Sequence, residues 1–543
     1  MPTALLRRFR WPQLATCALP LAMLLGGLAL FAVGCASDGV GTGEDDLTSA
    51  SGSERKITWQ SFVYVPTGSS DGDIAKAIQK QVKSAIGAFR SPEIGIQDRD
   101  ALGNIDPKGW VKEEVAIVDA GKATGKLLRV RYNYADTAIV RKKNTAVEQP
   151  IHLLFGDYVA KAAALKPACS DDQGTEPDSL WFHFTPQLAA CQKAIAAEQN
   201  AINAATKGLD PTRQVSKADA NRNFVLVRAK LTAVKAAPTK YPEYDKLWGF
   251  GTDRTLLVAY TFFGVDSDIA NPNDVSAIEH FRFLRTLLAK FPKLAVTKTE
   301  PNMLLLDFSI GSQKYTATYA EVCNWVVDNT GFPAAANTAE LKASLRKQAV
   351  QHWGERWIYW ELPVTVKLGT QSRSMTLQVR SYWGYEDGKA EWRQAATWRY
   401  LEAFWHGDVF LYQGHSHFGH GPLEPVNYNP SNFANRYQVM LINSCVSFNY
   451  YDVDFLKMHP GGSQKLDVVV NGLPAYWTKM GEASANYLIG LVGGGNKSWG
   501  DILAGMMVKP SWAPAGYDPL RAVNGELDNT FDAKKTPLTL TPK

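Results

Sequence analysis

Short, continuously apolar runs recur through the second half of the chain and leave few folds open to it. These runs cover residues 408–413, 437–443 and 466–471, and stretches of helical composition lie between them. A strand with one exposed face alternates apolar and polar residues, whereas a strand covered on both faces is apolar along its length. The pattern therefore predicts an α/β fold with a mainly parallel sheet, whose ligand sites lie at the carboxyl ends of the strands.

The first half of the chain has a different pattern. Its β-rich runs cover residues 57–65, 127–134, 224–233 and 255–263. Between them, a helix is predicted to begin at Pro186 and to end at Gly208, because its apolar residues recur at helical spacing. We expect this half to form a separate α/β (α+β) domain. Its sequence contains no cluster of catalytic residue types, so we assign it an accessory or pro-domain role.

The length of the chain also indicates several folded units. A chain of 543 residues is much longer than a typical domain of about 100 to 150 residues. The patterns above predict four segments. They are a signal peptide (residues 1–34), a modified cysteine with a flexible tether (35–55), the accessory or pro-domain (56–268) and a C-terminal domain that contains the apolar runs (269–543).

The first 35 residues have the layout of a secretory signal. Three arginines lie within residues 7–10, an apolar run covers residues 14–33, and Gly34-Cys35 ends the segment. Small residues before a cysteine resemble the lipobox of bacterial lipoproteins, and this resemblance implies cleavage before Cys35 and lipidation of its thiol. The alternative is an uncleaved anchor, because the apolar run is long enough to span a bilayer. We favour lipidation, because residues 36–53 have the Gly/Ser/Asp-rich composition of a flexible tether.

Location and charge restrict the expected partners. The rest of the chain is expected to lie outside the cytoplasm, attached by lipid to a bacterial membrane, and Ala36 after the cysteine favours the outer membrane. The chain has 58 Lys and Arg against 53 Asp and Glu, and the expected signal peptide removes three of the basic residues. So nearly balanced a charge gives no electrostatic reason to expect nucleic acid as a partner.

The cysteines beyond the lipobox differ in their surroundings. Cys169 and Cys191 bracket a segment rich in Asp, Gly and Pro. A disulfide between them would stabilise the fold by about 3 kcal/mol, and two buried thiols are the alternative. Cys323 lies in an apolar run and is expected to be a core residue. Cys445 differs from the others, because it directly follows the end of an apolar strand.

Two of the apolar strands run into residues that can carry chemistry. Residues 409–413 lead to His415, and residues 439–442 lead to Cys445. If the two strands are neighbours in a parallel sheet, about 4.8 Å apart, they bring both residues to adjacent loops. An imidazole there can take the proton of the thiol and pass it to a leaving amine, while backbone N–H groups at the strand ends hold the oxyanion.

This pair of strand ends resembles the caspase-like cysteine peptidases, which include caspases, legumains, clostripain and the gingipains, and it is most similar to the gingipain-like bacterial enzymes. Their pattern is an apolar strand ending in His-Gly and a later one ending in a small residue and Cys. The matching segments are 413–415 (Gln-Gly-His) and 443–445 (Asn-Ser-Cys). The resemblance implies a three-layer α/β/α domain, Cys445 as nucleophile, His415 as general acid/base, a peptide or protein substrate, and no cofactor.

The His loop departs from that pattern. The family keeps glycine after the His and uses its N–H in the oxyanion hole, whereas this chain has Ser416. The resemblance still implies the N–H groups of Ser416 and Cys445 as oxyanion donors, but we expect the serine side chain to restrict the loop. His420 is followed by glycine, yet it lies well beyond the strand. We therefore prefer His415 to His420 as the general acid/base.

Other interpretations remain open. The cluster His415, His417 and His420 resembles the zinc motif of metallo-β-lactamase-like hydrolases, although glycine replaces the Asp of that motif and only His459 follows. The segment around Ser416 resembles the nucleophile elbow of α/β-hydrolases, but Phe418 occupies a position that must be glycine. A non-catalytic binding or scaffold lipoprotein is the alternative outside the enzymes. The preferred prediction is a lipid-anchored cysteine endopeptidase without a metal.

Overall fold

Two large β-sheets and the helices packed on them form the described part of the chain. A computed structural model describes residues 45–98, 107–385, 390–494, 496–511, 513 and 516–543, with the side chains of residues 390–397 left aside. The expected signal peptide and the lipid attachment at Cys35 lie outside these residues. Within the described ranges, every helix is too short or too polar to cross a membrane.

Long antiparallel strands dominate the first half. The strands are β1 (Gly52–Pro66), β2 (Ile94–Ile96), β3 (Val111–Asp119), β4 (Lys122–Arg141), β5 (Glu148–Leu154), β6 (Gln214–Ser216) and β7 (Phe224–Ala233). The helices are α1 (Asp71–Lys83), α2 (Ala85–Arg90), α3 (Ala162–Cys169), α4 (Leu180–His183), α5 (Ala189–Thr206) and α6 (Lys217–Ala220). The first sheet has the order β5-β7-β1-β4-β3-β6, with β2 beside β4. Its pairs are antiparallel except β3–β6.

A disulfide ties two helices of this half together. Cys169 ends α3, and Cys191 lies on the buried face of α5 with Ile195 and Ile202. The two cysteines are bonded to each other, so the disulfide, rather than a pair of thiols, is present. The bond closes the segment between them, which carries α4.

The second half contains the second sheet and a small hairpin. The strands are β8 (Leu256–Gly264), β9 (Ala295–Glu300), β10 (Leu305–Ile310), β11 (Gln313–Thr318), β12 (Trp357–Leu368), β13 (Gln371–Gly384), β14 (Val409–Gln413), β15 (Gln438–Asn443), β16 (Leu466–Asn471), β17 (Arg521–Asn524) and β18 (Leu538–Pro542). The helices are α7 (Tyr244–Leu247), α8 (Val275–Lys290), α9 (Tyr319–Asp328), α10 (Ala339–Trp353), α11 (Ala390–His406), α12 (Asp452–Met458), α13 (Met480–Val492) and α14 (Trp499–Gly505). β10 and β11 pair with each other as the hairpin.

The second sheet has a parallel centre and antiparallel margins. Its order is β17-β16-β15-β14-β8-β13-β12-β18, with β9 beside β12. The pairs from β16 through β13 are parallel, and the others are antiparallel. β14, β15 and β16 are buried along their whole length, as the apolar runs predict. The chain is therefore a mixed α/β protein. β8 precedes residue 268, so the second sheet begins earlier in the chain than the expected domain boundary.

Helices cover one face of the second sheet. Leu257, Val409 and Leu441 of the strands share a hydrophobic core with residues of α8 and α13. These two helices approach each other closely at Gly481. A Cβ added at this glycine would lie only 1.9 Å from the carbonyl oxygen of Glu279. Any side chain at position 481 would force α13 away from α8.

The other face of the second sheet packs on α11 and α12, where Tyr400 meets Phe262 and Phe410 with ring centroids 4.7 and 5.8 Å apart, and it shares a core with the first half of the chain. Tyr260, Phe410 and Met440 share one hydrophobic core with Ile57 and Phe89. Because these residues come from both sheets, the first half is not a loosely attached module. The described residues accordingly belong to a single compact unit.

Strand β2 makes a close backbone contact with a loop of the second sheet. A Cβ on Gly95 would lie 2.4 Å from the carbonyl oxygen of Gly472, which follows β16. The side-chain amide of Asn449 donates to the carbonyl oxygen of Ile96 at 2.5 Å. The first half therefore touches the same edge of the second sheet that carries the candidate site.

Residues 45–55, expected to belong to a tether, are packed into the fold. Leu47 is buried, and Ser49 pairs with Ala522 of β17. The N–H of Thr48 donates to a carboxylate oxygen of Glu526 at 2.7 Å. Burial of Leu47 and these polar contacts hold a segment whose composition alone indicated flexibility. This part of the expected tether belongs to the folded body.

Several carboxyl groups are buried in the body and hold protons at unusually high pH. Burial is the main cause in every case, because it disfavours the charged form. It raises the pKa of these groups to about 8 for Glu54 and Glu526, about 7 for Asp136 and Asp467, and about 6 for Asp452.

We expect the stability of the protein to decrease as the pH rises from about 4 to about 8. Carboxyl groups of an unfolded chain titrate near pH 4, so above this pH the folded state holds protons that the unfolded state has released. The unfolding midpoint measured by calorimetry should be lower at pH 8 than at pH 5 by about 5 °C or more. Glu54→Gln, which cannot ionise, should reduce this difference. A midpoint that rises over the same interval would contradict the prediction.

Candidate active site

Three neighbouring parallel strands end side by side in the second sheet. β14 lies between β8 and β15, with Gln413 opposite Phe263 on one side and Asn443 on the other. His415 and Cys445 follow just beyond this level on adjacent strand ends. The prediction that these two strands are parallel neighbours is confirmed. Both residues therefore lie at the carboxyl edge of the sheet.

An aspartate that the sequence analysis missed approaches His415. Asp266 follows β8, on the side of β14 away from β15, and its Oδ1 lies 3.4 Å from Nε2 of His415. The imidazole is 48% exposed, and the ring of Trp477 meets it edge-on, with 5.4 Å between the ring centroids. A carboxylate at one ring nitrogen fixes the tautomer of an imidazole and leaves the other nitrogen, here Nδ1, for proton transfer.

The buried carboxylate of Asp274 holds the loop that carries Asp266. It accepts hydrogen bonds from the N–H groups of Asp266 and Ser267 at 3.1 and 2.7 Å. It also caps the start of α8 by accepting from the N–H groups of Ser276 and Ala277, both at 3.0 Å. The position of Asp266 is thus fixed by the beginning of a helix that packs on the sheet.

The thiol of Cys445 is half-buried and reduced. It donates a hydrogen bond to the carbonyl oxygen of Ala475 at 3.4 Å. Burial raises the pKa of this thiol, while the hydrogen bond to Ala475 and the charge of Arg90 partly oppose the shift. The resting form at neutral pH is therefore the thiol. Nucleophilic attack by its sulfur requires a base, and His415 on the adjacent loop is the group available for that role.

Side chains of β16 and of the loop that carries Cys445 fix the backbone around this residue. Nδ2 of Asn471, the last residue of β16, donates to the carbonyl oxygen of Ser444 and to Oδ1 of Asn443, both at 3.0 Å. The hydroxyl of Ser447 donates to the carbonyl oxygen of Ile442 at 2.7 Å. These bonds bracket Cys445 in sequence. In the sequence, the apolar run that ends at Asn471 predicted the strand that carries this side chain.

Ser416 adopts a backbone conformation that does not require the glycine found in the family. Its φ of −76° and ψ of −12° lie in a region that any residue adopts. The residues with left-handed backbone follow it, beginning at His417. Among the described residues, the N–H groups of Ser416 and Cys445 have no hydrogen-bond acceptor.

The other histidines of this loop point to different partners. Nδ1 of His420 lies 2.9 Å from Oε1 of Glu424, and its side chain is 60% exposed. The rings of His417 and His415 are 5.8 Å apart. In the part of the chain that the structure describes, no group of three or more His, Cys, Asp or Glu side chains is arranged to hold a metal ion. The three histidines of the alternative zinc motif do not form such a group.

His459 and Cys323 lie in other surroundings. Nε2 of His459 lies 3.1 Å from Oε1 of Gln438 at the start of β15, so this His is at the opposite end of the strand from Cys445. Burial lowers the pKa of His459 to about 4. Cys323 is fully buried in α9, and burial raises the pKa of its thiol. His459 therefore cannot assist a nucleophile at the carboxyl edge.

The strand ends thus place an acid, an imidazole and a thiol on three adjacent loops at one edge of the sheet, in the order Asp266, His415, Cys445, with Asp266 in contact with His415. Only the last two could be identified from the sequence. No family model, curated protein or solved structure matches the chain. The functional assignment therefore rests on the geometry of this edge.

Proposed function

We propose that this chain is a cysteine peptidase in which Cys445, His415 and Asp266 act together. The observation that carries the proposal is the register of β8, β14 and β15, which delivers the three residues from adjacent parallel strands to one edge. Each group has the chemistry that its role needs, because the thiol is the nucleophile, the imidazole moves the proton, and the carboxylate orients the imidazole.

In the first half of the reaction, His415 takes the proton of the Cys445 thiol as the sulfur attacks the carbonyl carbon of the scissile bond. Because burial raises the pKa of this thiol, proton transfer accompanies the attack instead of preceding it. The N–H groups of Ser416 and Cys445 donate to the oxyanion of the tetrahedral intermediate. The protonated His415 then donates its proton to the leaving amine, and a thioester remains on Cys445.

In the second half, His415 takes a proton from water while the water oxygen attacks the thioester carbon. The C–S bond breaks, the sulfur regains a proton from His415, and the carboxylic acid product leaves. Asp266 stabilises the imidazolium that forms in each half, at the 3.4 Å distance found in the structure. No metal or other cofactor enters these steps.

We further propose the caspase-like three-layer domain and the location on the outside of a bacterial membrane. The parallel strand order around β14 and the packing of α8 and α13 on one face support the first. The lipobox-like segment that ends at Cys35 supports the second. The Cys169–Cys191 disulfide agrees with it, because disulfides persist in oxidising compartments.

Selective alkylation is the direct test of the nucleophile. Iodoacetamide should modify Cys445 at least about a hundredfold faster than Cys323, because the latter thiol is fully buried and burial raises its pKa. Cleavage of a mixed peptide library, followed by mass spectrometry, should be lost in parallel with the modification of Cys445. An unreactive Cys445 in a folded protein that cleaves no peptide would favour the non-catalytic binding lipoprotein.

Asp266→Asn should lower the kcat of peptide hydrolysis by about 10- to 100-fold. The amide keeps the shape of the side chain but cannot stabilise the imidazolium, and the moderate loss reflects the 3.4 Å distance and the partial exposure of both groups. Asp268→Asn is the matched control, because Asp268 lies on the same loop and accepts a hydrogen bond from the hydroxyl of Tyr385 at 3.1 Å. Equal kcat values for the two variants would remove Asp266 from the mechanism.

A further inference from the structure

The loop that follows His415 has an unusual backbone. His417, Phe418 and Gly419 are consecutive residues with φ values of 48°, 53° and 81°. A left-handed conformation costs a non-glycine residue about 1 to 2 kcal/mol. Two such residues in a row persist only when surrounding contacts hold them.

Aromatic residues of the first half supply these contacts. The ring of Phe418 meets Trp181 with 5.4 Å between centroids and an interplanar angle of 63°. It meets Phe182 at 5.1 Å and 69°. Each edge-to-face pair of this kind contributes about 0.5 to 1.5 kcal/mol beyond the area that it buries. The two pairs together offset much of the backbone strain at His417 and Phe418.

Trp181 and Phe182 are themselves held by charged residues of the first half. The ammonium of Lys83 lies 4.2 Å from the ring centroid of Trp181, and the guanidinium of Arg90 lies 5.1 Å from that of Phe182. Nη2 of Arg90 also forms an ion pair with Asp171 at 2.6 Å. Cations over aromatic faces are favourable contacts. These contacts therefore fix the orientation of both rings independently of Phe418.

The backbone around these rings is closed by the disulfide. The N–H of Asp171 donates to the carbonyl oxygen of His183 at 3.1 Å, and the N–H of Thr185 donates to that of Cys169 at 2.8 Å. Cys169 is bonded to Cys191. The segment that carries Trp181 and Phe182 is therefore fixed at its base by two hydrogen bonds and one covalent bond.

We propose that Trp181 and Phe182 are positioning residues for His415, and that they act through Phe418 across the contact between the two halves. The first half is then a permanent wall of the active site and not a removable pro-segment. The catalytic part of this inference rests on the proposed function, whereas the fixing of the loop does not.

The test compares the full chain with the double variant Trp181→Ala/Phe182→Ala. Trp398→Ala is the matched control, because Trp398 is 73% exposed and lies on α11. Hydrogen–deuterium exchange of residues 414–421 should become about tenfold faster or more in the double variant and stay unchanged in the control. The kcat of peptide hydrolysis should fall by about 10- to 100-fold with little change in KM, because a misplaced base slows the chemical step.

Two substitutions of Phe418 separate positioning from general stability. Phe418→Tyr keeps the aromatic ring and should retain the wild-type kcat, whereas Phe418→Ala should reproduce the double variant. Exchange and kcat that remain unchanged in the double variant would overturn the proposal. Exchange that accelerates equally in residues 414–421 and in β14 would also overturn it, because the rings would then stabilise the whole fold.

The exchange measurement distinguishes this inference from the proposed function. If the wild-type protein cleaves no peptide, the proposed function fails, but faster exchange confined to residues 414–421 would still show that Trp181 and Phe182 hold the loop. If the wild-type protein cleaves peptides and exchange is the same in all variants, the proposed function stands and the inference fails.

Discussion

Replacing Cys445 with alanine is expected to reduce the rate of peptide hydrolysis by about ten-thousandfold or more, to the limit of detection. Removal of the nucleophile of a covalent mechanism leaves only binding and oxyanion stabilisation, which give a small residual rate. Because Cys445 is half-buried and its thiol only donates to the carbonyl oxygen of Ala475, the smaller side chain should leave the fold intact. Initial rates on the cleaved library peptides, with circular dichroism as a folding check, measure the effect.

Cys323→Ala is the matched control for this prediction. Cys323 is the other free cysteine of the described residues, and it is fully buried in α9. Its substitution should lower stability by about 1 kcal/mol through the lost packing and leave kcat unchanged. If Cys445→Ala keeps full activity while Cys323→Ala also does, no thiol of the described chain serves as the nucleophile, and the proposed function is wrong.

The strands that carry the site could be predicted because burial on both faces removes polar residues from them. β16 begins and ends at the expected residues, and β14 and β15 each begin a single residue later than expected. Their adjacency was the condition on which two of the three site residues were identified from the chain alone. The sequence signal for these two residues lay in the apolar strands that precede them and not in the loops.

The margins of both sheets could not be predicted in the same way. β9 and β18 are mostly exposed, and β3 also has exposed residues along much of its length. Such strands are defined by pairing with distant partners and not by an apolar run, so the sequence pattern carries little of their signal. The boundary at residue 268 has a different cause: β8 is buried and was predicted as a β-rich run, but its pairing with β13 and β14 places it in the second sheet.

Asp266 and Ser416 show two further limits. Asp266 does follow a β-rich run, but its role depends on β8 lying next to β14, and the order of strands in a sheet is a non-local property. Ser416 was compared with a glycine as though its own backbone needed special freedom. In the structure, the left-handed residues begin one position later, and contacts from the first half hold them. A sequence motif in the second half of the chain cannot reveal contacts that residues of the first half supply.

His415→Ala is expected to lower the kcat of peptide hydrolysis by about a thousandfold or more, because the Cys445 thiol, whose pKa burial raises, then has no base to take its proton. His420→Ala tests the alternative on the same loop. Nδ1 of His420 is engaged by Glu424 at 2.9 Å, and the side chain is 60% exposed, so its removal should change kcat by less than about threefold. The ratio of kcat between these variants distinguishes the two histidines without reference to absolute activity.

The pH profile of alkylation gives an independent measurement of the same pair. In the wild-type protein, iodoacetamide should modify Cys445 at neutral pH with the help of His415, whereas in His415→Ala the reaction should require a higher pH, because the thiol must ionise unaided against its burial. His420→Ala should keep the wild-type profile. Identical profiles in the wild-type protein and His415→Ala would mean that imidazole and thiol do not interact, and the mechanism built on the adjacent ends of β14 and β15 would fail.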